Sequence, residues 1–308
     1  MKKTTSSKSF KSDSKIKRKL KSISKQKLHP RPLKPKALPF IRFMGISLGG
    51  GKSDRTVLTI IDYYLLHKKL VVSRVIDHLS TEGEISSDHK LFETIQEYKN
   101  HLKLIAFDVP LSLPKCFRCE LNCPGYEVCD EEEIIWMWKQ HRQNLKNNKN
   151  QRLFTPYTRR CVEEYWSKEL VGAWSLSDAM GSNQAPLLAR ARFITRRMRP
   201  QWKSKIIEVL PRLSLLRWSS KQKLLKHVVN GSRSSVEGIE SREYVLKKLT
   251  EDLDLFIYEQ DKALILDSLV AFDSLWSALS AFWKFQKKCE IRPKSFPKHE
   301  GWIDVPRF

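Results

Sequence analysis

The chain has 308 residues, 41% of them hydrophobic, with nine Trp and fourteen Phe, which is enough apolar surface for a buried core. Its formal net charge is +23, from 57 Lys and Arg against 34 Asp and Glu, an excess that points to a polyanionic partner such as DNA or RNA. The Lys-rich start has no continuous apolar core behind it, so no secretory signal is expected there. It is also poor in Arg and has no apolar stripe, which speaks against a mitochondrial presequence, so a cytoplasmic location (nuclear in a eukaryote) is expected.

Residues 1–38 hold fourteen Lys or Arg and a single acid, Asp13, so this stretch carries +13 and the remainder of the chain +10. Its Lys/Ser/Pro composition cannot bury apolar surface, and a disordered basic tail is expected, with Lys15, Lys17, Arg18, Lys19 and Lys21 as candidate phosphate contacts. A solubilising tail is the plainer alternative.

Residues 39–308 read as one domain. Phe40–Leu48 is a strand, followed by the glycine turn Gly49-Gly50-Gly51. Thr56–Tyr63 and Leu70–Ile76 are rich in β-branched residues and complete an antiparallel meander. A helix over Ser87–Asn100 and a short strand, Leu104–Asp108, come next. Helices are expected over Glu131–Gln140, Tyr157–Glu169 and Pro186–Arg199, the last with Leu187, Ala191, Ile194 and Met198 on one face and Arg192, Arg196 and Arg199 opposite. Those three arginines are further candidate nucleic-acid contacts. Ser204–Val209 reads as a strand stopped by Pro211, with helices over Ser219–Val229, Gly238–Leu253 and Ala263–Phe285. Asp267 and Asp273 interrupt the last of these, so a buried helix is expected there and no membrane span. A meander followed by alternating helices and parallel strands is the order of an RNase-H-like α/β fold, a mixed sheet with helices on both faces.

Three acids stand in apolar company: Asp108 in IAFDVP, Glu208 in IIEVLP and Asp273 in LVAFDSLWSAL. Ionised carboxylates are costly in such surroundings unless paired or bound to metal. Asp108 and Glu208 end strands, where open α/β sheets gather ligands, and Asp273 shares a helix face with Leu269, Val270 and Trp276. Converging carboxylates suit Mg²⁺ or Mn²⁺, a pair of which can activate water against a phosphodiester. Local pairing with arginines or helix capping is the alternative.

Cys116, Cys119, Cys123 and Cys129 form C-x2-C-x3-C-x5-C, thiols that suit Zn²⁺ or an iron–sulfur cluster, against free thiols or a disulfide. Cys161 is a possible fifth participant. Trp136 and Trp138 beside them are core residues by default, or platforms for a base. Gly51-Lys52-Ser53 invites comparison with a P-loop, but the first glycine of that motif would fall at Ile46.

The succession GISLGG (45–50), FDVPLSLP (107–114), PYTRRCVEEYW (156–166), IIEVLPRLSLL (206–216), FDSLWSALSAF (272–282) and EGWIDVP (300–306) resembles domain-of-unknown-function family 429, regarded as RNase-H-like nucleases. The resemblance runs from about Ile41 to the C-terminus. It implies a divalent-metal-dependent nuclease with Asp108, Glu208 and Asp273 at the family's acidic positions. The family's first strand reads Gly-Ile-Asp; here Ser47 stands at the acid's place. Ser47 therefore implies a single metal, a substitute such as Asp54, or lost hydrolysis in a non-catalytic nucleic-acid-binding module. A glycine turn in the first hairpin also occurs in actin-like ATPases, which leaves ATP-dependent phosphotransfer as a further alternative.

Overall fold

β1 (Phe40–Leu48) is buried from Phe43 onward on both its faces, as a strand must be when helices cover it above and below. The computed structural model describes residues 39–49, 55–147, 153–170, 175–234 and 238–308. Lys15, Lys17, Arg18, Lys19, Lys21, Asp54 and most of the glycine turn lie outside these residues.

β1 pairs antiparallel with β2 (Thr56–Tyr64), and β2 pairs antiparallel with β3 (Lys69–Leu79). The chain continues through α1 (Ser87–Glu97) into β4 (Leu102–Phe107), which lies parallel to β1. Five helices follow: α2 (Lys115–Arg118), α3 (Glu132–Asn147), α4 (Cys161–Trp166), α5 (Gln184–Arg197) and α6 (Pro200–Lys203). They lead to β5 (Ile206–Val209), parallel to β4. Next come α7 (Pro211–Lys221), α8 (Lys226–Gly231), α9 (Ile239–Leu253) and β6 (Leu255–Ile257), the last parallel to β3. α10 (Glu259–Asp267), α11 (Leu269–Phe285) and β7 (Ile303–Asp304), parallel to β5, complete the order β6-β3-β2-β1-β4-β5-β7. A 3-2-1-4-5 centre with an antiparallel meander followed by parallel strands is RNase-H-like topology.

Alternate residues of β1 enter different cores. Phe43 packs with Phe272, Leu275, Leu279 and Phe282 of α11, whereas Met44, Ile46 and Leu48 meet Leu91 and Ile95 of α1 and Ala191 and Ile194 of α5. A third cluster joins Met137, Val162, Trp166, Leu213, Phe296 and Val305 at the β5–β7 end.

Several elements differ from the sequence reading; the helix expected over 219–229, for one, is broken between α7, which ends at Lys221, and α8, which starts at Lys226. The single helix expected over 263–285 is two, α10 and α11, bent by 114° at Ser268. The Ser268 hydroxyl accepts from the Ala271 amide and caps α11, a stop-and-start that hydropathy does not register. Among the described residues no single helix is long and apolar enough to cross a membrane. Pro211 ends β5 but also occupies the first turn of α7, where its missing N–H costs nothing, so a helix stands where only a stop was read. The helix expected over 157–169 shrinks to α4, because the Thr158 hydroxyl bonds Asp178 and a turn forms at Thr155–Thr158 instead. β6 and β7 are too short to carry a periodic signal.

α11 lies unusually close to β1. A Cβ at Gly45 would overlap the Ser274 carbonyl oxygen and the Ala278 amide nitrogen, both fixed backbone atoms. The buried hydroxyls of this helix are satisfied locally and across the contact: Ser274 pairs with Thr59 at 2.6 Å and Ser280 with Ser214 at 2.9 Å. Gly45→Ala is expected to push the helix off the sheet and cost about 3 kcal/mol by overpacking. Urea unfolding against wild type measures it, and an unchanged midpoint would refute the close contact.

Candidate functional site

Asp108 directly follows β4 and Glu208 is the third residue of β5, with Phe107 in register with Glu208. Two carboxyl groups thus arrive at the carboxyl ends of adjacent parallel strands. Asp273 comes from the first turns of α11, held there by the Gly45 contact. All three line one cavity of about 140 Å³, together with Leu48, Arg160 and Arg212. Ser47, buried on β1, reaches it through its hydroxyl, which donates to Asp108 Oδ2. Of the helix face expected to point inward, Trp276 is fully buried but Val270 is 38% exposed, and the buried stripe also runs through Ala271, Phe272, Leu275 and Ala278. Asp273 is half-buried because it borders the cavity, not the core.

Each acid has a different partner. Glu208 receives two hydrogen bonds from Arg160, at 2.9 and 2.6 Å, and a third from the Leu111 amide at 2.9 Å. Arg160 is fully buried and also binds Glu163, whose carboxylate takes the Arg160 and Ala179 amides. Burial opposes the Arg160 charge, but Glu163 and Glu208 outweigh it and hold the guanidinium above its ordinary pKa. Asp273 is gripped by both terminal nitrogens of Arg233. The loop carrying Arg233 is itself fixed by buried Arg242, which donates to the carbonyls of Ser232, Ser234 and Leu266. Burial pushes the Asp108 carboxyl up to about 7; the Ser47 hydrogen bond opposes this and the Asp273 charge adds to it. Burial, then the charge of Arg233, lowers the affinity of Arg212 for its proton.

These residues do not fit a two-ion centre. Such a centre needs several unengaged carboxylates, and here Glu208 and Asp273 are already neutralised by arginines. Among the described residues no three His, Cys, Asp or Glu side chains form a metal-ligand set as they stand. Among the described residues lining the cavity, Asp108 Oδ1 is a buried oxygen without a hydrogen-bond partner.

The remaining expected residues lie elsewhere. Arg196 and Arg199 are exposed and Arg192 half-buried, on and just beyond α5, whose first turn supplies Gln184 and Leu187 to the cavity wall. Cys116, Cys119, Cys123 and Cys129 line a separate cavity of about 300 Å³. Cys161 is not among them; its buried thiol donates to the Glu133 carbonyl. Trp138 donates to the Tyr126 carbonyl and packs on Phe154, and Trp136 packs on Phe296, with both tryptophans half-buried. Comparison with protein-family models, curated proteins and solved structures gives no match. The arginines at 160, 212, 233 and 242 were missed from sequence. Arg160 and Arg212 sit inside the quoted motifs PYTRRCVEEYW and IIEVLPRLSLL, and an arginine three residues before Glu163 was the available signal for pairing.

Two outcomes follow from this electrostatics. The Asp108 carboxyl is pushed up to about 7, well above its ordinary value, so it stabilises the fold below about pH 4 and loses that contribution as pH rises through 7. Asp108→Asn, which mimics the protonated group, is expected to flatten the stability profile between pH 4 and 8. It should stabilise at pH 8 by about 4 kcal/mol at most; a parallel wild-type profile would contradict the shift. Arg160→Met strands Glu163 and Glu208 in the interior and should cost about 3–5 kcal/mol. Adding Glu163→Gln and Glu208→Gln should recover most of that loss in the same denaturation assay.

Proposed function

We propose that the chain is a nuclease-derived protein that binds DNA or RNA, carrying a cavity in which the two-ion hydrolytic machinery has been dismantled. The observation behind this reading is the cavity itself. It sits at the carboxyl ends of β4 and β5 in an RNase-H-like sheet, yet Arg160 and Arg233 hold two of its acids and Ser47 stands beside the third. The motif resemblance to family 429 gives the same ancestry.

The case for a nucleic-acid partner is electrostatic. The chain carries +23 overall, and α5 leads from the cavity wall at Gln184 to the exposed Arg196 and Arg199. A phosphate backbone following those side chains would run toward the cavity. Arg212 borders that cavity and is exposed, which leaves a guanidinium to meet a phosphate oxygen.

Full-length protein is expected to bind labelled single-stranded and duplex DNA and RNA without cleaving them in Mg²⁺ or Mn²⁺. Removing residues 1–38 should weaken binding at least tenfold near 0.1 M salt and flatten the salt dependence, since fewer counterions are released. Turnover of any of these substrates by wild type would overturn the dismantled site, and unchanged affinity across all of them without the tail would remove its role. Ser47→Asp places a carboxylate against Asp108, so this variant should be stabilised by Mg²⁺ or Mn²⁺ in thermal unfolding while wild type is not. Equal shifts for both proteins would show that the acid at 47 does not complete a cation site.

A further inference from the structure

The four clustered cysteines have no part in the site just described. They occupy α2 and the loop after it, a segment that begins where FDVPLSLP ends and closes at α3. Its base is built from ions. Lys115 binds Glu131 at 2.5 Å and Glu133 at 3.4 Å, and Arg118 lies 3.9 Å from both Glu133 and the buried Glu300. Lys115 and Arg118 are three residues apart on α2 and so face one way; Cys116 and Cys119 share the same spacing, one residue on.

Beyond that base the segment has no core of its own. Phe117, Leu121 and Val128 are 58%, 66% and 66% exposed, so apolar burial does not hold the loop together. Gly125 has φ +97°, a conformation that turns the chain between Cys123 and Cys129. The result is one cavity of about 300 Å³ with all four cysteines on its wall, Lys115 at its edge and Leu121, Pro124 and Ile134 between them. None of the four is in a disulfide.

We propose that Cys116, Cys119, Cys123 and Cys129 together hold one thiolate-bound metal centre, a Zn²⁺ ion or an iron–sulfur cluster, that organises this loop. Four sulfur donors on one wall match both chemistries, which share a requirement for thiolates. Lys115, on the same wall, is a cation beside the four thiols, although it is already paired with Glu131 and Glu133. Asp130, also on the wall, is the competing oxygen donor. As they stand the side chains are not drawn in to bonding distance of a common point, so the metal closes the loop and the thiols lose their protons on binding. The proposal is independent of the nuclease-derived reading.

The test uses the full chain purified anaerobically and under reducing conditions, with metals measured by elemental analysis. One zinc per chain with no visible absorbance assigns the ion; iron with matching acid-labile sulfide and a brown colour assigns the cluster. Cys123→Ser and Cys129→Ser, in exposed and half-buried positions, should each lower the metal content at least fivefold, and Cys289→Ser should leave it unchanged. For metal-stripped protein, Co²⁺ titration should give the intense visible bands of tetrahedral thiolate coordination at one equivalent in wild type, lost in Cys123→Ser. Protein with neither zinc nor iron and no cobalt–thiolate bands overturns the proposal. So does metal retained in full by Cys123→Ser and Cys129→Ser.

Discussion

The position of the cavity depends on how closely α11 can approach the sheet. Gly45 offers no side chain, and α11 answers with Ser274 and Ala278, so helix backbone and strand backbone come nearly into contact. The helix keeps Phe272, Leu275, Leu279 and Phe282 buried on either side of that point. Its hydroxyl-bearing positions are spanned by the Thr59–Ser274 and Ser214–Ser280 bonds, which tie α11 to β2 and to α7. Burial of the apolar residues supplies the driving force, about 25 cal/mol per Å², and the small residues set the distance. With α11 so placed, Asp273 emerges near enough to Asp108 for its charge to add to the burial that raises the Asp108 carboxyl.

What surrounds these acids decides their chemistry. A carboxylate with two free oxygens is a ligand for a hard cation; one gripped by a guanidinium has spent that capacity. Arg160 occupies both oxygens of Glu208, Arg233 both oxygens of Asp273, and Arg242 keeps Arg233 in reach by fixing its loop. Asp108 remains, its carboxyl pushed up to about 7 by burial and bonded to Ser47. The cavity is therefore close to charge balance, not strongly acidic. An arginine in place of a metal is a permanent counter-charge that cannot dissociate, which favours a fixed geometry over catalysis by a mobile ion.

The meander, the parallel strands and the acids at their ends were legible because each has a local signature: β-branched runs, short apolar segments before Pro110 and Pro211, and carboxylates where none should stand. The break at Ser268 was not, since a capping hydroxyl inside an apolar run looks like any other serine until the chain turns. The partners of Glu208 and Asp273 lie 48 and 40 residues away in sequence, and no spacing rule links them. Nor could the sequence separate a guanidinium from a metal ion as the neutralising charge, because both satisfy the same buried acids.

The sheet ends on two very short strands, β6 and β7, of three and two residues. Much of β3 runs on past β6 as an outer edge, and that is where open amides could recruit a strand from another molecule. Asp261 of α10 takes the Val75 amide at 2.9 Å, and Arg74, Asp77 and His78 put polar groups along the same run. Slips in the β2–β3 register near Leu58 and Ile61 add local twist there. Such an edge resists stacking into fibrils wherever many copies of the chain are brought close together.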